Sequence, residues 1–204
     1  MNTRPIIDAG PALNFIAAHQ ENILLKALGP LSTPQTVADE VLRLSRTDPL
    51  FRGVELRWKT LTRKHIEVLA DEGDELDSLC ARITRQPLNQ RKRTGKDLGE
   101  LMVLLHAVAA AERGADIIVL IDDGQGARQA EIEIQRLNRM RRNNPKLGSV
   151  ALINTVTVLE SKAGTDLIPT KADMRQVYAK ISRYDDGLPN DISRTGLLHS
   201  SIWC

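Results

Sequence analysis

The stretch Ala115–Ile121 constrains this chain most. It is apolar except for Asp116 and rich in β-branched residues, with Gly114 before it and Asp122–Asp123–Gly124 after it. A run this short cannot span a bilayer. Nearly continuous apolarity, rather than strict alternation, marks a strand covered on both faces, and such strands belong to parallel sheets whose neighbours are reached through helical crossovers. The flanks agree. From Asp97 to Arg113 the pattern places Leu98, Leu101, Leu105 and Val108 on one helical face, and a further helix is expected from Ala127 to Arg141.

The same alternation recurs along the chain. Pro5–Ile6–Ile7 reads as a short buried strand ending at Asp8–Ala9–Gly10, and Pro11 suits the start of a helix. A second helix fits Glu21 to Leu28 and stops at Gly29–Pro30. Leu31 to Pro34 is a brief extended segment before a helix over Thr36 to Leu44. Ser149 to Ile153 is the last strand, Asn154 or Thr155 can cap the helix after it, and one more helix fits Asp173 to Ser182. This order predicts an α/β domain of three layers, with a central, mostly parallel sheet flanked by helices and joined by right-handed crossovers. With 204 residues, one domain suffices. It is expected over residues 1–185, with a helical insertion at about 46–96, where periodicity lapses, and a tail over 186–204.

Composition removes several functions. Only 3% of the residues are aromatic, which argues against RRM-type or OB-type recognition through stacked rings. Two cysteines, Cys80 and Cys204, make neither a C-x-x-C motif nor a structural zinc site. Arg4, Pro5 and Asp8 interrupt any signal-peptide pattern and no later apolar run is long enough for a membrane span, so the cytoplasm is the expected compartment. The formal charge of +2 names no partner, but its distribution is uneven. Residues 67–77 carry acids and no base, whereas residues 78–96 carry bases and no acid. Such blocks suit a helical excursion with attracting ends, a basic lip beside a cleft, or two solvated faces.

Ligands of an open parallel sheet gather at the carboxyl ends of its strands, which singles out Asp8, Asp122 and Asp123. Glu40 lies in a helix whose Val37 and Val41 face the core, and Asp97 and Glu100, three apart, can share a helix face. Each acid has a plainer role. Asp8 could cap the helix at Pro11, Glu40 could pair with Arg43, Asp97 and Glu100 could form a capping box, and Asp122–Asp123–Gly124 could be a turn. Together, converging carboxylates repel one another and raise each other's pKa values unless a cation lies among them. A hard divalent ion resolves this, and without a His–Cys cluster Mg²⁺ is the first choice over zinc. Water attack on a phosphodiester is the reaction such a centre serves most naturally. The four histidines form no motif, and His106 reads as a packed or surface residue.

The sequence resembles the PIN-domain family, in its branch of uncharacterised VapC-like proteins. The similarity rests on Ile6–Ile7–Asp8–Ala9–Gly10–Pro11–Ala12–Leu13, on Ser32 to Val41 around Glu40, on Asp97–Leu98–Gly99–Glu100, and on Val119–Leu120–Ile121–Asp122–Asp123 with Gly126 to Ala130. A weaker match runs from Ile153 to Leu159 and on to Pro169. Together these cover most of residues 4–45 and 95–180.

The resemblance implies a parallel sheet flanked by helices and an endoribonuclease using Mg²⁺ or Mn²⁺. Asp8, Glu40 and Glu100 match three of the family's usual acids; the fourth is Asp122 or Asp123, with Asp122 preferred. Asp97 is then a helix cap or an auxiliary metal ligand. Asp8 and Asp122 are the expected direct ligands, Glu100 binds directly or through water, and Glu40 orients or deprotonates the nucleophile. Arg91, Lys92, Arg93, Lys96 and Arg128 are the cations expected to contact RNA. A toxin role with a small antitoxin, and a homodimer, are further implications. One departure is Gly10, where many members carry Ser, Thr or Asn. Together with the long 46–96 segment it keeps open a family member that only binds or regulates another protein. A receiver-like phosphoacceptor domain is the other alternative.

Overall fold

The computed structural model describes residues 3–95, 97–122, 124–185, 187–199, 201 and 203, with the backbone alone described over 124–127. The first strand, β1 (Ile6–Ile7), is wholly buried and runs into α1 (Ala9–Ala17). That helix starts two residues before Pro11, which is tolerated because the amides of a first turn have no intrahelical partner. Next comes α2 (Glu21–Leu28), which ends as expected at Gly29, in a backbone of φ +76° that favours glycine. Then follow β2 (Leu31–Pro34) and α3 (Gln35–Thr47). Val37, Ala38, Val41 and Ser45 form the buried face of α3.

The segment 46–95 is mostly helical and also carries a strand that the sequence pattern hides. It contains a 3₁₀ turn at Pro49–Phe51, α4 (Val54–Lys64), β3 (Ile66–Leu69), α5 (Asp74–Thr84) and α6 (Leu88–Thr94). Trp58, Leu79 and Cys80 are buried in the common core, so the segment is part of the domain rather than an appendage. The long helix α7 (Leu98–Glu112) is buried almost all round, from Leu101 to Ala111, which makes it a central helix rather than a surface one. It leads to β4 (Ile117–Leu120), α8 (Gly124–Asn143), β5 (Val150–Ile153), α9 (Thr155–Glu160) and α10 (Lys171–Ile181). Asn154 caps α9 through its side chain, and α10 begins earlier than expected because Thr170 and Asp173 form a reciprocal capping box.

The five strands form one sheet in the order β3-β2-β1-β4-β5, and every pairing is parallel. The expected three-layer α/β architecture is therefore met. From β1 the chain steps outward to β2 and β3, then returns to β4 and β5 on the other side. The reversal leaves a switch point between β1 and β4, where open α/β sheets bind ligands. Asp8 and the end of β4 meet there: the Asp8 amide donates to the Leu120 carbonyl at 3.1 Å.

The C-terminal stretch, expected as a loose tail, is packed on the domain where it is described. Tyr178 Oη donates to the Pro189 carbonyl at 2.5 Å, Leu188 and Leu197 are buried, and Trp203 Nε1 donates to the Leu197 carbonyl at 2.9 Å. Its few apolar side chains suffice because each enters an existing core rather than building one.

Candidate functional site

A cleft of about 620 Å³ opens at the carboxyl ends of β1 and β4. Among the described residues, six acids from different parts of the chain line it. Asp8 comes from the end of β1, Glu40 from α3, Asp97 and Glu100 from the start of α7, Asp122 from the end of β4, and Asp185 from the turn after α10. The approach is close on the α3–α7 side. A methyl group built on Gly99 would lie 2.9 Å from Glu40 Oε2 and 3.5 Å from Asp8 Oδ1. Those two oxygens are thus no farther apart than the two distances laid end to end, about 6.4 Å.

The plainer roles fare unevenly. Asp8 stands at the N-cap position of α1 but its side chain makes no cap bond there. Asp97 stands before α7 with φ +53° and likewise makes no side-chain cap bond, so the alternative of a capping box with Glu100 does not form. Left-handed backbone at a non-glycine residue costs free energy and recurs at functional sites. Glu40 does face Arg43, at 3.6 Å, but both side chains are substantially exposed, where such a pair contributes little. Asp122 keeps a structural duty. Its Oδ1 accepts the Thr155 amide at 2.7 Å and its Oδ2 the Thr155 hydroxyl at 2.6 Å, which fixes the first turn of α9.

Burial pushes the Asp122 carboxyl above its ordinary pKa. The two bonds from Thr155 offset only part of this, and the charge of Asp185 adds to it. Asp185 is itself buried, with Oδ1 accepting the Gly187 amide at 2.9 Å. Sequence reasoning missed Asp185, although Asp185–Asp186–Gly187 repeats the Asp122–Asp123–Gly124 string. It also missed Asn14, 5% exposed and in the cleft lining, which lies one helical turn beyond Gly10. Phe51 and Tyr184 form part of the wall, with ring centroids 6.2 Å apart, although the chain is poor in aromatics.

The expected substrate cations separate. Arg91 and Arg128 line a second cavity of about 750 Å³, which shares Asp97 and Glu100 with the acidic cleft. Lys92 instead donates to the Asp71 carbonyl at 2.5 Å, tying the basic block back to the acidic one. Arg93 is exposed on α6 and lines neither cavity. Lys96 and Asp123 lie outside the described residues. His106 is packed: its Nε2 lies 3.0 Å from Asp71 Oδ1, while Asp71 Oδ2 accepts the Thr36 amide at 2.6 Å. Asp71 thereby joins the start of α3 to the middle of α7, the helices that carry Glu40 and Glu100.

The donor set is carboxylate oxygen, the chemistry that Mg²⁺ and Mn²⁺ favour. Among the described residues no three ligating side chains stand close enough to hold a metal ion as they lie. Among the described residues, no helix is long and apolar enough to cross a membrane. No protein-family model, curated protein or solved structure matches the chain.

Proposed function

We propose that this chain is a PIN-like endoribonuclease that hydrolyses RNA phosphodiester bonds with Mg²⁺ or Mn²⁺ in the cleft between β1 and β4. The observation that carries this reading is the convergence, among the described residues, of six acids drawn from residues 8 to 185 on the lining of one cleft at the sheet's switch point. Neither Asp8 nor Asp97 caps its helix through its side chain, which agrees with this reading.

A divalent ion in the cleft would neutralise phosphate charge and make a water molecule acidic enough to attack at neutral pH. Asp8 and Asp122 would hold it, with Glu100 assisting directly or through water. Asp97, at the mouth shared by the two cavities, is an auxiliary donor. Burial chiefly raises the Asp122 carboxyl, with the charge of Asp185 adding to it, and a bound cation would favour its ionised form. Glu40 would orient the attacking water through Oε2 and take its proton. Attack at phosphorus with departure of the 3′ oxygen leaves 5′-phosphate and 3′-hydroxyl ends. Arg91 and Arg128 would hold the strand beyond the cleaved bond.

The test is incubation of single-stranded RNA with the purified chain and Mn²⁺. The proposal expects fragments with those end groups, abolished by EDTA and by Asp8→Asn. Cleavage that persists undiminished in Asp8→Asn overturns it. A second reading is a protein that keeps the fold and binds or regulates a partner. It is favoured by one observation, the lack of a ready-made three-ligand arrangement among the described residues. Absence of cleavage with either ion, in a chain that folds, would leave that reading standing. The toxin role with an antitoxin, and the homodimer, belong to the first reading and are tested by co-purification with the product of the neighbouring reading frame and by solution mass.

A further inference from the structure

The 750 Å³ cavity beside the acids is larger than the acidic cleft and chemically different from it. Its walls come from α5 and the turn after it, α6, α7 and α8. Ile83, Leu101, Leu104 and Ile132 supply an apolar surface, and Gln86 and Gln129 supply amides that both donate and accept. Arg91 and Arg128 supply positive charge. Ile132 on α8 is 56% exposed, whereas Ala130 and Leu137 of the same helix are buried in the core. An exposed large apolar side chain beside arginines and amides suits a ligand with a flat apolar face, a hydrogen-bonding edge and an anionic end. A nucleotide has all three.

We infer that this cavity is a subsite for one nucleotide of a single-stranded RNA, next to the bond cut in the acidic cleft. The inference rests on the ribonuclease reading for its substrate class. Its position follows from Asp97 and Glu100, which stand on the first turn of α7 and line both cavities. The start of α7 is therefore a ridge, with the reacting phosphate on one side and the neighbouring base on the other. The base lies against aliphatic side chains and a guanidinium plane, which explains how a chain with 3% aromatic residues can grip it. A paired base cannot enter such a pocket without leaving its stack, so the subsite selects single strands or splayed-out nucleotides. The two glutamines give it the means to prefer one base edge over another.

The experiment uses the full chain with ¹³C-labelled Ile and Leu methyl groups, in EDTA so that nothing is cleaved. Adenosine and uridine 5′-monophosphates are titrated in turn, with inorganic phosphate as the third arm. The methyls of Ile83 and Ile132 are expected to shift with at least one of the nucleotides and to stay in place with phosphate alone. Arg128→Ala and Ile132→Asp, both at exposed positions on α8, are each expected to weaken that binding about tenfold or more while the remaining methyl spectrum is kept. Silent methyls, equal shifts with phosphate alone, or unchanged affinity in both variants would overturn the inference. Since binding is read without turnover, nucleotide binding in a chain that cuts no RNA would remove the ribonuclease reading and keep the subsite. Cleavage by a chain whose pocket methyls stay silent would do the reverse.

Discussion

Thr155 holds both oxygens of Asp122, its amide at 2.7 Å from Oδ1 and its hydroxyl at 2.6 Å from Oδ2. The carboxylate at the heart of the proposed centre is thus also the anchor of α9, and Thr155 itself is fully buried. Thr155→Val keeps the shape and removes the hydroxyl donor. Loss of one hydrogen bond to a buried charged group should cost about 1.5–3 kcal/mol, read from urea denaturation midpoints.

The raised pKa of Asp122 has a sign that can be checked. A carboxyl that ionises less readily folded than unfolded binds its proton more tightly in the native state. Its contribution to stability therefore falls as pH rises from the ordinary carboxylate range through the raised value. The difference in unfolding free energy between Asp122→Asn and wild type, followed across pH in EDTA, should move in favour of the variant over that window. Mn²⁺ should recover the wild type and leave Asp122→Asn unchanged.

Asp71 titrates in the opposite sense. Burial alone would raise it, but hydrogen bonds from His106 and Thr36 outweigh this and hold it below its ordinary value. Its stabilising contribution is present above the unfolded carboxylate pKa and is lost as pH falls through the lowered folded value. Asp71→Ala should remove this acid-side dependence and, by stranding the Thr36 amide and His106, destabilise the chain by about 2–4 kcal/mol. Denaturation curves at pH 7 and pH 3 measure both effects.

Gly99 allows α7 to come up against Glu40. The nearest atom to an added methyl group, 2.9 Å away, is the carboxylate end of that flexible side chain. Gly99→Ala should therefore keep the fold, helped by alanine's higher helix propensity, while Glu40 is pushed from its place. Cleavage is expected to fall at least tenfold with the melting temperature preserved or raised. A variant with wild-type turnover would remove Glu40 from the machinery.

The architecture was legible where one period ran without interruption. The apolar run at β4 and the stripe on α7 each announce an element, and Gly29 ends α2 where the pattern says it should. β3 was hidden because an edge strand half open to solvent reads Ile66–Glu67–Val68–Leu69 inside an acidic block. Its pairing with β2 and the Arg4–Glu67 contact at 3.6 Å depend on residues far away in sequence. Asp8, Glu40, Glu100 and Asp122 could be named from strand ends and helix starts. Asp185 carries only the repeated Asp–Asp–Gly string as a signal, because its place in the cleft beside Asp122 depends on residues far apart in sequence. For the same reason the bond from the Lys92 ammonium to the Asp71 carbonyl, which ties the basic block to the acidic one, could not be read from the sequence.

Asp185 separates a fold-only role from a site role. Asp185→Asn keeps its shape and its amide contact with Gly187 but removes one negative charge beside Asp122. Mn²⁺ affinity, measured by calorimetry, should fall several-fold, and the Asp122 carboxyl should ionise at lower pH. Unchanged affinity would limit Asp185 to holding the C-terminal turn.

The most direct measurement is the anomalous diffraction of a crystal soaked in Mn²⁺. The account predicts a peak in the β1–β4 cleft within about 2.3 Å of carboxylate oxygens from both Asp8 and Asp122, the range of hard-cation coordination. A cleft that stays empty at high Mn²⁺, or a peak held elsewhere on the chain, would contradict it.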